Sequence, residues 1–403
     1  MDIHTKNIIL QNCNTQTIES LIRIIKSNSI TLEEFKEAGL HDSKVEAILN
    51  SIISATIKTE KKSEKEKFLQ LVIDEKIDSD EIINKIENKI LNIEDLESLI
   101  NIGKFTLKTF KAIKYKIANK TATTPFREVT ELPPMQAGRT DLYFIGVPRS
   151  GKSTMLTGIL NCGVNNGILM PDTSHQVGVN FQNKLLQDFR NGVIPLPTAD
   201  GSYNYISMSL KGPDGKKHPF NVVDVPGEVF NKIVENPKVD DFLTYIHNSN
   251  KKIFVFVIDS LTHDNEYSEG LDQNDQSLIY PNILQLLNEN RVLENVDAIY
   301  LVANKFDAIK NKRYSTDERN DVDLAEEFLR EKFLYLINNC IDTRDELKNK
   351  FKIRILPFSI GKVSYKTIVE EFNEKYSKNL INDILSDSFV IKSNKWIKFF
   401  SQS

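Results

Sequence analysis

The run Leu142–Ser153, LYFIGVPRSGKS, constrains this chain more than any other stretch. An apolar segment leads into Gly146-Val147-Pro148-Arg149-Ser150-Gly151-Lys152-Ser153, a G-x-x-x-x-G-K-[ST] pattern. A helical apolar periodicity follows at Met155, Leu156, Ile159 and Leu160. The glycines let the chain turn so that successive backbone N–H groups converge on one point. The helix presents its positive end to that same point. Strand, loop and helix together describe a cradle for phosphate groups. Gly146, Arg149, Ser150, Gly151, Lys152, Ser153 and Thr154 are its candidate lining. Lys152 is expected to reach the terminal phosphate oxygens and Ser153 to ligate Mg²⁺.

The 403 residues exceed one ordinary domain, and the character of the chain changes along its length. Residues 1–118 read as an all-helical domain, with no proline before Pro125. Polar caps with an acid three residues on mark helix starts at Thr31/Glu34, Asp78/Glu81 and Asn92/Asp95. ITLEEF, IDSDEI and LNIEDL share one shape, and Gly39 and Gly103 fall in similar contexts, which suggests a small helical repeat suited to docking a protein partner. Residues 119–139, with Pro125, Pro133 and Pro134, read as a linker.

From residue 140 to 403 strands and helices alternate. Strands are predicted at 142–146, 203–210, 219–225, 252–258, 298–303 and 353–358; helices at 152–161, 181–190, 275–290, 321–338 and 364–386. The alternation predicts an α/β fold, a mostly parallel sheet covered on both faces. The short turn around Gly212 and Gly215 makes 203–210 and 219–225 an antiparallel pair.

Bulk properties exclude several classes. A net charge of −4 with 27% charged residues offers no general nucleic-acid or anionic-membrane surface. Cys13, Cys162 and Cys340 are scattered singly, so neither a disulfide framework nor a zinc site is expected, and a reducing cytoplasm fits. The opening MDIHTKNIIL lacks a signal-peptide core, and the longest apolar runs are too short for a membrane span. The six histidines form no metal-ligand spacing.

Two further motifs close predicted strands. Asp224-Val225-Pro226-Gly227 ends FNVVDV, where an Asp can hold the Mg²⁺ shell and Gly227 can offer a backbone N–H to a γ-phosphate. Asn304-Lys305-Phe306-Asp307 closes the predicted strand AIYLVA.

In this order and spacing the three motifs resemble those of the TRAFAC/Ras-like P-loop GTPases, over about 250 residues. The resemblance implies a Ras-like fold, GTP/GDP and Mg²⁺ as ligands, and slow hydrolysis of GTP to GDP and phosphate. By the family pattern Asp307 reads the base, Asn304 braces the site and Lys305 covers the ring. Ser359 matches the loop near the guanine carbonyl. Thr198, in Pro195-Leu196-Pro197-Thr198, matches the switch threonine that ligates Mg²⁺, with Thr173 as its rival. The P-L-P-T and D-V-P-G-E segments look like the double-GTPase-type domains of bacterial signalling and defence gene clusters.

The chain departs from the pattern twice. Pro148 stands where small Ras-like proteins carry Gly, and Glu228 stands where they carry the water-orienting Gln. Lys152, Thr198, Gly227 and Glu228 are therefore the candidate catalytic set, with Arg149 as a charge that could act in cis or on a partner. Two alternatives stay open: an interaction module with negligible turnover, and an ATP-using P-loop enzyme. Oligomeric state is not legible.

Overall fold

The computed structural model describes residues 2–27, 29–119, 126–195, 203–212, 214–227, 229, 241–261 and 276–388, with backbone alone at 52–63. Its chain divides into two compact units, Met1–Phe105 and Thr106–Ser403.

The first unit is helical: α1 (Ile3–Gln11), α2 (Ile18–Lys26), α3 (Leu32–Glu37), α4 (Asp42–Ile73), α5 (Ser79–Glu87) and α6 (Ile93–Asn101). The caps read from sequence form. Thr31 and Glu34 make a reciprocal capping box, Asp78 accepts from the Glu81 N–H, and Asp95 accepts from the Asn92 N–H. Gly39 and Gly103 take left-handed φ values of 82° and 71°, and each ends a helix with the turn that glycine alone makes without strain. Leu21, Ile30 and Phe35 are fully buried, and Ile82, Leu91 and Leu96 recur in the same order at the same spacing, equally buried. The helix–turn–helix pattern thus occurs twice.

The second unit contains α7 (Leu107–Ala118), β1 (Thr140–Ile145), α8 (Lys152–Asn165), β2 (Leu169–Pro171), α9 (Gln176–Arg190), β3 (Asn204–Lys211), β4 (Lys217–Asp224), α10 (Asp241–Ile246) and β5 (Lys251–Asp259). It continues with α11 (Gln276–Glu289), β6 (Val296–Asn304), α12 (Phe306–Arg313), α13 (Asp321–Glu346), β7 (Lys352–Pro357), β8 (Gly361–Ser364), β9 (Ile368–Phe372) and α14 (Glu374–Ser388). The main sheet has the order β2-β3-β4-β1-β5-β6-β7. β1 runs parallel to β4 and β5, and β6 runs parallel to β5 and β7. β3 pairs antiparallel with both β2 and β4.

Burial on both faces explains the nearly unbroken apolar strands. Leu142 and Phe144 of β1 join a core with Met155, Leu156, Leu185 and Leu380, which sit on α8, α9 and α14. Tyr143 and Ile145 point the other way, into a core with Tyr280, Leu284, Phe328 and Leu329 of α11 and α13. The arrangement is an α/β fold, a mostly parallel sheet with one antiparallel hairpin strand, β3.

Three local expectations change. The sequence reading has no strand at 169–171, where β2 lengthens the sheet edge. The stretch 364–386, read as one helix, splits: α14 starts at Glu374, and β8 and β9 form a hairpin before it. That hairpin turns on Tyr365 and Lys366, both in left-handed conformations at φ 46° and 58°, so no glycine announces it. Helix α7, read with the N-terminal helices, falls in the second unit. Its Tyr115 hydroxyl donates to Asp188 of α9 at 2.8 Å, and its Lys116 ammonium to Thr367 Oγ1 at 3.2 Å.

Candidate site at the carboxyl ends of the parallel strands

The sheet brings the motifs to one edge because each lies at or just beyond the carboxyl end of a parallel strand. Gly146 follows β1, Asp224 ends β4, Asn304 ends β6, and Ser359 lies two residues beyond β7. β1 and β4 are adjacent, with Phe144 opposite Asp224.

The loop after β1 is shaped by contacts that leave no room for side chains. Gly151 has φ 93°, and a Cβ on it would lie 2.3 Å from Asn304 Nδ2. A Cβ on Gly146 would lie 2.5 Å from Ser150 Oγ. Arg149 also takes a left-handed φ of 64°, and its side chain is exposed. Lys152, 7% exposed, donates to the carbonyls of Gly146 at 2.6 Å and Val147 at 3.2 Å. Its ammonium is thus held over the mouth of the loop. Thr154 follows in the first turn of α8.

Ser153 Oγ donates to Asp224 Oδ2 at 3.0 Å. A hydroxyl and a buried carboxylate, side by side at the loop, are the hard oxygen donors that Mg²⁺ prefers. Among the described residues no group of three or more His, Cys, Asp or Glu is placed to hold a metal ion. Gly227 abuts the loop directly: a Cβ there would lie 2.4 Å from Pro148 N and 2.6 Å from Val147 C.

Asn304 Nδ2 donates to the Ser150 carbonyl at 2.7 Å, so the motif that closes β6 is bonded to the loop after β1. Phe358 N donates to Ala303 O at 2.8 Å and Phe306 N to Phe358 O at 3.0 Å. These bonds stitch the Ser359 loop to the Asp307 loop. Ser359 is 2% exposed, and its hydroxyl accepts from Gly361 N. Asp307 sits half-buried in the first turn of α12. Lys305, at φ 57°, places its ammonium 2.6 Å from Asp259 Oδ2.

Sequence reasoning missed Asp259, Gln276 and Tyr280. Gln276 Oε1 accepts from Asp259 N at 2.8 Å, and the Tyr280 hydroxyl accepts from Val147 N at 3.4 Å. One signal was available: Asp259 closes the apolar run of β5 just as Asp224 closes β4.

Thr198 and Glu228 lie outside the described residues, as do Trp396, Phe399 and Phe400. The strand after Thr198 starts at Asn204, which pairs with Asp224. Thr173, in contrast, is exposed on a turn after the edge strand β2. Arg139, the residue before β1, holds the neighbouring Asp172 at 2.9 Å. That tie fixes the Thr173 turn toward the end of β1 away from the loop, so the structure does not bring Thr173 to the site.

The chain matches no protein-family model and no curated protein sequence. Several solved structures are similar in fold to part of this chain. The signal recognition particle receptor SRb-GTP/SRX complex from Chaetomium thermophilum shares 12% identity at a TM-score of 0.32, over 61% of this chain and 99% of that one. The putative nucleolar GTP-binding protein 1 from Plasmodium falciparum shares 13% identity at 0.29, over 63% and 90%. The S. cerevisiae Ski7 GTPase-like domain bound to GTP shares 15% at 0.31, over 64% and 51%. Likeness at this level concerns fold alone. Among the described residues no helix is long and apolar enough to cross a membrane.

Proposed function

We propose that the second unit binds GTP and GDP with Mg²⁺ and hydrolyses GTP slowly to GDP and phosphate, its nucleotide state being read by a protein partner through the N-terminal helices. The observation that carries this reading is the convergence of three motifs on one loop. Asn304 bonds Ser150, Gly227 packs on Pro148, and Ser153 bonds Asp224. A loop needing only a tight turn has no use for all three.

In this reading the backbone N–H groups from Arg149 to Ser153 hold the phosphates, and Lys152 moves from loop carbonyls to phosphate oxygens. Ser153, Asp224 and Thr198 hold Mg²⁺, which when bound neutralises charge on the phosphates. Asp307 accepts from guanine, Lys305 covers the ring and Ser359 approaches the carbonyl. Gly227 donates its N–H toward the γ-phosphate, and Glu228 stands near the attacking water.

The loop offers fewer N–H groups than its length allows. Pro148 has no N–H, and the Val147 N–H is directed at Tyr280, so two loop positions give phosphate nothing. That same feature supports the second reading, a nucleotide-binding interaction module with negligible hydrolysis. Turnover of purified protein with Mg²⁺ and GTP, beside Lys152→Ala, separates them. Phosphate release that Lys152→Ala abolishes supports the enzyme; binding without release leaves the module.

A further inference from the structure

We propose that Asp259, Gln276 and Tyr280 form a buried positioning relay that ties the base-side lysine, Lys305, to the phosphate loop. The relay adds a second, buried tie between the two halves of the proposed GTPase site beside the Asn304–Ser150 bond, and in that sense it rests on the reading above.

Each link is on the page. Lys305 Nζ lies 2.6 Å from Asp259 Oδ2, and Asp259 is only 4% exposed. The backbone of Asp259 is gripped from both sides by one amide: Gln276 Oε1 accepts from its N–H at 2.8 Å, and Gln276 Nε2 donates to its carbonyl at 3.3 Å. Gln276 is fully buried. Its Oε1 is also 3.1 Å from the Tyr280 hydroxyl, one turn along α11. That hydroxyl shares its single proton between Gln276 Oε1 and Val257 O, the latter at 2.7 Å, and accepts from Val147 N. Val147 is the second residue of the phosphate loop. The chain of contacts therefore runs from the base-side lysine to the loop backbone through the Asp259 carboxylate and main chain, the Gln276 amide and the Tyr280 hydroxyl.

A buried hydroxyl and amide in this setting have few alternatives. A partner lost inside the protein cannot be replaced by solvent, so a change at one end is felt by the next group. Lys305 is the one member that is partly solvent-accessible, at 38% side-chain exposure. Recruiting its ammonium over a bound ring alters the charge that Asp259 faces. The relay carries that change to Val147 and its neighbours, so base occupancy and phosphate-loop rigidity rise together.

The test uses the full chain with Asp259→Asn, Tyr280→Phe and the double variant, all near-isosteric. Two readouts are taken: amide hydrogen exchange of 146–150 and 303–307 without nucleotide, and dissociation of fluorescent GDP. The relay predicts that Asp259→Asn speeds exchange in 146–150, although it does not touch those residues. It also predicts that each single variant speeds GDP release on the order of tenfold, and that the double variant does no more than the larger single one. A merely structural role lowers the melting temperature and makes the two effects multiply. Exchange changes confined to 303–307 after Asp259→Asn, or multiplying release rates, overturn the relay. If Tyr280→Phe fails to fold, Gln276→Met breaks the same chain one link earlier. Should wild-type protein bind no guanine nucleotide, the proposed function falls, and the nucleotide-free exchange still decides the relay.

Discussion

Gly227→Ala tests whether the D-x-x-G segment reads a γ-phosphate. The added methyl would lie 2.4 Å from Pro148 N and 2.6 Å from Val147 C, both main-chain atoms of the phosphate loop. Ordinary carbon contacts need a further ~1 Å. Neither atom can swing away as the tip of a flexible side chain could. The Gly227 backbone must therefore retreat by about that distance. A hydrogen bond to a charged acceptor is worth about 1.5–3 kcal/mol, and an N–H displaced by ~1 Å loses most of it. On the site proposed here that interaction exists with GTP and not with GDP. The variant is therefore expected to weaken GTP binding about 10- to 100-fold relative to GDP. Competition titrations of fluorescent GDP by GTP and by GDP measure the ratio directly. Equal weakening of both nucleotides, or no change in the ratio, would refute the placement of Gly227 at the γ-phosphate.

Two further outcomes follow from particular contacts. Asn304→Ala removes the donor that satisfies the buried Ser150 carbonyl, at a cost of about 1–3 kcal/mol; a lower melting temperature and at least about tenfold weaker GDP binding are expected, and unchanged values for both would show the brace to be idle. Asp321 accepts from Lys310, Lys375 and Tyr376; burial works against its charge, but these bonds outweigh burial and hold the carboxyl down to about 2. Because the folded value lies below the ordinary 3.8, its contribution to stability is complete above that pH and is lost as pH falls toward 2. Urea midpoints taken across this window should fall more steeply for wild type than for Asp321→Asn, and parallel curves would count against the ion-pair account.

The tight loop after β1, the Asp224 strand end and the Asn304–Asp307 turn were legible because their geometry is local. Glycines at left-handed or crowded positions, and polar residues closing apolar strands, leave marks in consecutive residues. Residues whose roles depend on distant partners left none. Tyr280 and Gln276 read as ordinary positions on an apolar helix, and only the fold puts them under Val147 and Asp259. The β8–β9 hairpin was hidden for a different reason. Its turn uses Tyr365 and Lys366 instead of an Asn-Gly pair, and Glu370, Glu371 and Phe372 merge with the real helix into one helical-looking pattern. Thr198 is favoured in the sequence for its place just before the hairpin strand, against Thr173, which lies nearer the loop. The structure bears only on Thr173, whose neighbour Asp172 is held by Arg139 at the start of β1.

The central claim is that Asp307 makes this a guanine site. The most direct test is titration of fluorescent GTP and ATP analogues with Mg²⁺ into wild type and Asp307→Ala. The account predicts strong preference for GTP in wild type and loss of that preference in Asp307→Ala, with ATP binding little changed. Equal binding of ATP and GTP by wild type, or a preference that survives the substitution, would contradict it.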